Sequence, residues 1–358
     1  MRIYENIPLS TLTTFRIGGP ARYFCRVRSE DDILAAVSFA KANKLKIFVL
    51  GEGSNILVSD LGFDGLVIKV KIKGITIIKT KYAKVKAGKK TESIVKGIGA
   101  EEVLIKSSAG EMWDELVELT VGKKLYGLEN LSAIPGTVGA APVQNIGAYG
   151  ADVSQTIHSV RAYDLEKSAF VEIDNKDCCF GYRDSLFKKN PDRYIISAVT
   201  FKLAKKAQVN IAYSDLDRYF KKKGESEPSL SEVRDAVIEI RWNKLPNWKL
   251  WATAGSFFKN PVVSSSHYDK LLRQYPELPG FAEPDGTVKV SLGWILDKVC
   301  KMKGVCIGNV CTHESQALVI VAKPGATAEE VVKVTQKLMA LVKEKTGIVV
   351  EGEVQWVN

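Results

Sequence analysis

The sequence contains few of the residues that hold metals or build disulfide frameworks. It has 3 histidines and 6 cysteines in 358 residues, and no C-x-x-C pair. His158, His267 and His313 lie far apart and lack the spacing of metal ligands. We therefore expect no metal site, and we expect reduced, buried thiols. The cysteines are Cys25, Cys178, Cys179, Cys300, Cys306 and Cys311.

Long apolar segments are also absent. No run reaches the roughly 20 residues that a membrane-spanning helix needs. The first residues are polar and include Glu5, which is unlike a secretory signal peptide. We therefore expect a cytoplasmic protein without membrane insertion. The content of 46% hydrophobic and 26% charged residues is ordinary for a globular chain, and 358 residues suit two or three packed domains.

Positive charge is in excess, with a net charge of +10. One interpretation is an anionic partner, such as a nucleotide, a phosphosugar or nucleic acid. The alternative, a solvated lysine surface, is favoured because the densest segment has a single aromatic residue, Tyr82, and so lacks stacking residues. This lysine-rich segment comprises Lys69, Lys71, Lys73, Lys79, Lys81, Lys84, Lys86, Lys89 and Lys90.

Hydrophobic periodicity predicts a mixture of helices and strands. Ser29 is typical of a helix N-cap, and Thr327 and Glu330 form a capping box before a helix that Gly347 ends. Further helices are predicted over 113–119 and 232–241, and strands over 46–50, 66–70, 160–163, 171–173, 195–203 and 348–354. The pattern indicates an α+β protein with separable parts.

Two glycine-rich loops could approach a ligand. Gly51-Glu52-Gly53-Ser54-Asn55 follows a strand and could cradle a phosphate, or it is an ordinary turn. The segment from Ile134 to Gly150 is almost uncharged and could pack against a flat ring or a pyrophosphate, or it is a buried turn. Gly97-Ile98-Gly99 has Glu102 in the third glycine's place, so it is no Rossmann fingerprint.

Three polar positions could carry chemistry. Arg183 offers a rigid fork to a carboxylate or an enolate, although a salt bridge to Asp184 is the simpler interpretation. Ser256 follows a glycine outside any G-x-S-x-G motif, so a role would be as a proton donor. Glu353 and Glu351 share one face of the predicted terminal strand, where two exposed acids are the alternative.

Taken together, these segments resemble the UDP-N-acetylenolpyruvoylglucosamine reductases, the MurB family, from Thr13 to Glu353. The resemblance includes Gly127-Leu128-Glu129-Asn130-Leu131, and the motifs occur in the family's order. It implies a vanillyl-alcohol-oxidase-type (PCMH) FAD-binding domain of two α+β subdomains, 1–73 and 74–205. A C-terminal α+β substrate-binding domain, 206–358, would follow. The departure from the family's pattern lies between Gly74 and Ser107, which is longer and richer in lysine.

The resemblance also implies the site residues. Arg183, Ser256 and Glu353 match the family's catalytic positions. Tyr213, which marks the family's larger subgroup, would contact substrate together with Lys244, Asn260 and Gln316. The implied FAD contacts are Gly51, Gly53, Ser54, Asn55, Gly136, Gly139, Ala140 and Gly147. On this basis, Gly139→Val is expected to give folded protein without flavin.

The implied activity is that of a UDP-N-acetylmuramate dehydrogenase in peptidoglycan synthesis. NADPH would supply hydride through FAD, Ser256 would supply a proton, and Arg183 and Glu353 would stabilise an enolate. We expect a monomer that binds no nucleic acid. Two alternatives stay open at this point. An oxidase of the same fold would need no UDP site, and a nucleic-acid-binding protein would contain no flavin.

Overall fold

The computed structural model describes residues 1–78 and 101–358 of the chain. The lysine-rich segment from Lys79 onward, with Tyr82, and the loop Gly97-Ile98-Gly99 lie outside the described residues. Among the described lysines, Lys73 is exposed, but Lys69 is only 6% exposed. The expectation of a solvated surface is therefore wrong for Lys69, because it lies on a strand whose neighbouring positions are buried.

The described residues combine helices with many short strands. The helices are α1 Glu30–Ala42, α2 Trp113–Gly122, α3 Leu186–Lys189, α4 Ser214–Lys223, α5 Leu230–Lys244, α6 Ser265–Gln274, α7 Leu292–Trp294 and α8 Ala328–Thr346. Single 3-10 turns cover Leu9–Leu12, Glu129–Leu131, Val138–Ala140, Val153–Gln155 and Asn175–Cys178, and a π-helical turn, Ile295–Val299, follows α7.

The strands are numbered in chain order. Those of the first half are β1 Ile3–Pro8, β2 Pro20–Val27, β3 Lys46–Leu50, β4 Ile56–Val58, β5 Phe63–Val70, β6 Ile75–Ile78, β7 Glu102–Ser108, β8 Gly147–Ala148, β9 Ala151–Asp152, β10 Ile157–Asp164 and β11 Ala169–Asp174. Those of the second half are β12 Tyr194–Ala204, β13 Ala252–Ser256, β14 Val262–Ser264, β15 Gly280–Ala282, β16 Thr287–Val290, β17 Cys306–Ile307, β18 Val310–Thr312, β19 Val319–Ala322 and β20 Gln355–Val357.

The described chain forms two compact units. The first comprises Met1–Ile3, Cys25–Gly51 and Val67–Arg241, and the second comprises Tyr4–Phe24, Glu52–Leu66 and Trp242–Asn358. The predicted division at 73 and 205 refers to ligand-binding parts, and it stays a prediction. An N-terminal sheet has the strand order β1-β2-β5-β3.

The first unit is built on an antiparallel sheet of strand order β11-β10-β12-β7-β6. Helix α1 begins where Ser29 accepts a hydrogen bond from the Asp32 N–H, as its N-cap position predicts. The next residue, Glu30, forms a bidentate pair with Arg161 of β10, at 2.6 and 2.8 Å. This pair fixes the start of the helix to the middle of the sheet.

The second unit encloses an apolar core between small antiparallel sheets and α8. The capping box of α8 is present, and Gly347 ends the helix in a left-handed conformation at φ 71°. The terminal strand runs over Gln355–Val357 and pairs in parallel with β4. The strand predicted at 348–354 is therefore wrong, because the residues that form hydrogen bonds with β4 are Gln355–Val357.

The expectation of reduced, buried thiols is wrong for three cysteines. Cys306 and Cys311 are directly opposed in the β17–β18 hairpin, so their side chains share one face, and they form a disulfide. Cys179 is exposed. The remaining cysteines are buried thiols, and burial raises the pKa of Cys25 to about 12.

Within the two described ranges, no helix is long and apolar enough to cross a bilayer.

Candidate functional site

The first glycine-rich loop follows β3 as predicted, and its geometry requires glycine. Gly53 has φ +67°, and a Cβ there would lie 2.7 Å from the Leu12 carbonyl oxygen and 2.8 Å from the Thr13 Cα. The Gly53 carbonyl accepts a hydrogen bond from the Thr14 N–H at 3.1 Å. The loop is therefore packed closely on the Thr13-Thr14 segment, and no larger residue fits at position 53.

The second loop, from Ile134 to Gly150, is also strongly constrained. Asn145 and Tyr149 adopt left-handed conformations at φ 46° and 50°, which non-glycine residues rarely do. Gly139 donates its N–H to the Ala109 carbonyl at 2.9 Å, and a Cβ on it would lie 2.5 Å from the Ala109 Cβ. The expectation that Gly139→Val gives folded protein is therefore wrong, because a side chain at this position would collide with Ala109, the residue after β7.

Gly51, the first residue of the first loop, approaches the second loop within the first unit. A Cβ on Gly51 would lie 3.0 Å from the Thr137 hydroxyl and 3.4 Å from the Ala140 Cβ. Gly51 itself has no left-handed φ, so the close approach of the two loops is the reason for glycine there. The predicted FAD residues Gly51 and Ala140 are thus neighbours.

The composition and polar groups of these loops fit FAD. Apart from Glu52, their segments carry no charged side chain, so a pyrophosphate meets main chain and small residues rather than like charge. The buried Thr13 hydroxyl lies beside Gly53, and it has no hydrogen-bond partner within residues 1–78 and 101–358. A buried hydroxyl without a partner is costly, and a polar ligand group would satisfy it.

The loop assignment predicts the effect of Gly51→Val. The backbone tolerates valine, but its methyl groups would fill the space between the loops. If the overpacking cost of about 1–3 kcal/mol falls on the bound state, FAD binding should weaken roughly 5- to 150-fold. Titration of the purified apoprotein with FAD, followed by flavin absorbance, measures this affinity. Gly122→Val is the matched control, because a Cβ at Gly122 meets nothing within 4 Å. Unchanged FAD affinity in folded Gly51→Val would remove the loop from the site.

Arg183 occupies the tip of a tight turn in the first unit. Gly181 and Asp184 exchange backbone hydrogen bonds at 3.0 and 3.2 Å, and Arg183 lies between them at φ 53°. Its guanidinium donates to the Gly147 carbonyl at 2.8 Å. The turn is held to the second loop again where the Asn145 side-chain amide donates to the Gly181 carbonyl at 3.1 Å. Two predicted site residues, Arg183 and Gly147, are therefore in direct contact.

The simpler interpretation of Arg183, a salt bridge to Asp184, stays a prediction. Asp184 pairs with Lys189 at 3.0 Å, and its carboxylate accepts from the Ser185 N–H. The guanidinium of Arg183 is directed to Gly147 and lies 5.5 Å from the Tyr182 ring centroid. Arg183 is thus aimed at the glycine-rich loop.

Two residues, Tyr149 within this loop and Arg241 beside it, were not predicted as site residues from the sequence. Tyr149 is 9% exposed, and its ring packs edge-to-face on Tyr213, with centroids 5.6 Å apart. Burial raises the pKa of Tyr149 to about 12, although Arg241 opposes the shift through its charge and a hydrogen bond. Burial lowers the pKa of Arg241, and the charge of Arg183 lowers it further. The sequence signal for Arg241 was weak, since it lies on an ordinary amphipathic helix.

Ser256 and Glu353 lie close together in the second unit. Ser256 ends β13 opposite Val319, after a register shift at which Gly255 has φ +79°. Such an irregularity turns the following side chain away from the regular alternation. The next carbonyl, of Phe257, accepts the Glu353 N–H at 2.8 Å. The structure therefore brings these two predicted residues to adjacent positions of the backbone.

The first loop contacts Glu353 as well. The Asn55 side-chain amide donates to the Glu353 carbonyl at 3.2 Å, and the Gln355 N–H donates to the Asn55 carbonyl at 3.0 Å. Glu353 is half-buried, whereas Glu351 is exposed and pairs with Lys259 at 3.0 Å. The two acids are thus in different environments, and the alternative of two exposed acids holds for Glu351 alone.

The predicted substrate contacts lie in different parts of the chain. The Asn260 side-chain oxygen accepts a hydrogen bond from the Leu292 N–H at 3.1 Å. The Gln316 side-chain oxygen would lie 2.6 Å from a Cβ placed on Gly293. Asn260 and Gln316 therefore flank the start of α7, in the same unit as Ser256. Lys244 is exposed at the end of α5, and Tyr213 precedes α4 in the first unit.

Sequence comparisons match nearly the whole chain. A profile of the UDP-N-acetylenolpyruvoylglucosamine reductase C-terminal domain matches residues 246–357, and an FAD-binding-domain profile matches 21–104 and 89–173. The UDP-N-acetylenolpyruvoylglucosamine reductase of Ralstonia nicotianae is 41% identical over 347 residues, 97% of this chain and 96% of that protein. That of Cupriavidus pinatubonensis is 41% identical over 352 residues, 98% of each chain.

This chain belongs to the UDP-N-acetylenolpyruvoylglucosamine reductase family. It is an FAD-dependent oxidoreductase of peptidoglycan precursor synthesis. Its fold is similar to that of the reductase from Thermus caldophilus, with a TM-score of 0.66, 22% identity and 100% of both chains covered. The predicted fold, a vanillyl-alcohol-oxidase-type FAD-binding domain with a C-terminal α+β domain, is confirmed. The alternative of a nucleic-acid-binding protein without flavin is wrong.

Proposed function

We propose that this chain uses NADPH to reduce UDP-N-acetylglucosamine enolpyruvate to UDP-N-acetylmuramate. The proposal depends mainly on one observation. The Arg183 guanidinium donates a hydrogen bond to the Gly147 carbonyl of the glycine-rich loop. A reductase of an enolpyruvyl group needs a cation of this kind, because negative charge develops on the substrate carboxylate. The identity to reductases over nearly the whole chain supports the proposal.

Held at the two glycine-rich loops, FAD would supply hydride transfer from NADPH to the terminal carbon of the enolpyruvyl double bond. The double bond is conjugated to a carboxylate, so hydride addition produces an enolate. Arg183 stabilises this enolate with a charge-assisted pair, and its contact with Gly147 orients the fork in advance. Because the orientation precedes the reaction, little reorganisation is needed as the charge develops.

Ser256 donates the proton to the carbon next to the carboxylate. A neutral hydroxyl is a weak acid, but the developing carbanion is a strong base, so the transfer is feasible. Glu353, protonated when substrate is bound, donates a hydrogen bond to the enolate. The connection of both residues to the backbone of Phe257 supports their acting on one group.

The remaining polar residues hold the nucleotide sugar. Tyr213, Lys244 and Asn260 contact the diphosphate side of the substrate, and Gln316 contributes beside Asn260. In this proposal, residues 1–73 and 74–205 bind FAD and 206–358 bind substrate. The matches to the FAD-binding and C-terminal domain profiles support this division. The enzyme acts as a cytoplasmic monomer and binds no nucleic acid.

The diphosphate assignment predicts the effect of Lys244→Ala. A charge-assisted hydrogen bond contributes about 1.5–3 kcal/mol, so KM for the UDP-sugar should rise roughly 10- to 100-fold. Flavin reduction by NADPH should be unchanged. Lys249→Ala is the control, since Lys249 is an exposed lysine five residues later in the chain. Equal effects on both half-reactions would mean that Lys244 serves the fold or NADPH binding.

Anaerobic mixing tests the proposed function as a whole. NADPH should bleach the flavin, and UDP-N-acetylglucosamine enolpyruvate should restore its colour. The alternative is an oxidase of the same fold, and it makes a different prediction. Its reduced flavin would be reoxidised rapidly by oxygen and would not respond to the enolpyruvyl sugar.

A further inference from the structure

The side chain of Asn130 connects two segments that carry proposed site residues. It is 3% exposed, and its amide nitrogen donates to the Tyr149 carbonyl at 2.8 Å and to the Asn210 carbonyl at 2.8 Å. Both hydrogens of the amide are therefore used. The first acceptor belongs to the glycine-rich loop, and the second lies three residues before Tyr213.

Other contacts join the same two segments, the glycine-rich loop and the 205–213 segment, and we call this contact region the junction. The Asn210 side-chain amide donates to the Gly150 carbonyl at 3.3 Å, and the Tyr149 ring packs edge-to-face on Tyr213. A Cβ on Gly150 would lie 3.6 Å from the Tyr213 Cβ. Behind the junction, Tyr149 belongs to an apolar cluster with Leu216 and Phe220 of α4. The segment before Tyr213 is thus joined to the loop by several contacts, of which the Asn130 bonds are the most buried.

We propose that Asn130 is a positioning residue that fixes Tyr213 in its substrate-binding place by tying the 205–213 segment to the glycine-rich loop. The segment itself is exposed over most of its length and forms no helix or strand between Ala204 and Ser214. Such a segment does not hold a tyrosine in one place by its own hydrogen bonds. A buried amide that bonds to carbonyls on both sides provides the missing constraint.

This inference rests on the proposed role of Tyr213 and adds the residue that places it. Asn130 touches neither the substrate nor FAD in this account, so it acts through the segment alone. Loss of the two bonds should affect binding of the UDP-sugar and leave the reaction with NADPH unaltered. A general structural role would instead lower flavin content and both half-reactions together.

The test is Asn130→Asp, which is nearly isosteric. It replaces the donating amide with an oxygen that faces two carbonyl oxygens, so both bonds are lost and the segment is repelled. We expect amide hydrogen exchange over residues 209–215 to become at least about tenfold faster in the free holoenzyme. We expect KM for the UDP-sugar to rise about tenfold, with flavin reduction by NADPH within about twofold of the parent rate.

Asn175→Ala is a matched control. The Asn175 amide also donates to two carbonyls, those of Ser154 and Ile157, at 2.7 and 2.8 Å, but neither is connected to Tyr213. This variant should leave exchange over 209–215 and KM unchanged. An equal rise of KM in both variants would overturn the proposal. It would show that the loss of any side-chain amide bonded to two carbonyls has this effect.

A second variant keeps the proposal testable if Asn130→Asp fails to fold. Asn210→Ala removes the exposed bond to Gly150 and the bond that the Asn210 side-chain oxygen accepts from the Ala212 N–H, and it should accelerate exchange over 209–215 severalfold. Unchanged exchange in every folded variant would overturn the proposal. The exchange measurement uses no substrate, so it judges the positioning role separately. A parent enzyme that does not turn over the UDP-sugar would reject the proposed function alone.

Discussion

Ser256→Ala should reduce its flavin with NADPH at nearly the parent rate and then fail to reoxidise it efficiently with substrate. The proton is needed only after hydride has left the flavin, so only the second half-reaction requires a donor. The loss should be on the order of 10²- to 10⁴-fold, as for other general acids and bases. Stopped-flow flavin absorbance separates the two half-reactions directly.

Two further variants control this experiment. Ser256→Cys should recover part of the rate, because a thiol can also donate a proton. Ser315→Ala removes an exposed serine hydroxyl from the same unit and should have no effect. If Ser256→Ala reoxidises at the parent rate, the donor is another group, and Glu353, next to Ser256 through the Phe257 backbone, becomes the candidate.

Arg183→Ala should show the second large effect, also confined to the oxidative half-reaction. Removal of one preorganised donor from a developing oxyanion costs roughly 10²- to 10³-fold in rate. Arg183→Lys should recover little of this. A lysine keeps the charge, but it has no fork that can contact Gly147 and the substrate together. Single-turnover rates of flavin reoxidation measure both variants.

The control for Arg183 is Arg22→Ala. Arg22 is an exposed arginine of the second unit, and it pairs with Asp64 of the same unit. Its loss should leave both half-reactions unchanged, because an exposed ion pair contributes little. Reoxidation of Arg183→Ala within about threefold of the parent rate would contradict the enolate-stabilising role, since a donor of this kind is worth far more.

Local sequence signals predicted the fold best where they were physically strong. The N-cap at Ser29 and the capping box at Thr327 are both present, and β3 covers the predicted residues 46–50. Each of these depends on contacts within a few residues. The terminal strand was misplaced because its position depends on pairing with β4, almost 300 residues earlier in the chain.

Helix α4 shows another limit of local reasoning. Its apolar face contains only two buried residues, Leu216 and Phe220, which are four positions apart and easily overlooked among charged residues. The helix is stabilised by their burial in a cluster with α5. The disulfide was missed for a similar reason. Cys306 and Cys311 are five residues apart, and only the hairpin register brings them opposite each other.

The candidate site was predictable as a set of residues but not as an arrangement. Arg183, Ser256 and Glu353 were singled out in the sequence, but the sequence could not show that Arg183 bonds to Gly147 or that Asn55 bonds to Glu353. In both contacts a side chain bonds to a main-chain carbonyl of a distant segment. The role of Asn130 was invisible for the same reason, since both of its acceptors are backbone carbonyls.

The origin of the two hydrogens in the product tests the central claim most directly. The holoenzyme would convert UDP-N-acetylglucosamine enolpyruvate with NADPH in deuterium oxide, and nuclear magnetic resonance would locate the label. We predict UDP-N-acetylmuramate with solvent deuterium on the carbon next to the carboxylate, and with one hydrogen delivered through the reduced flavin in the methyl group. Absence of this product, or its formation without solvent deuterium on the carbon next to the carboxylate, would contradict the account.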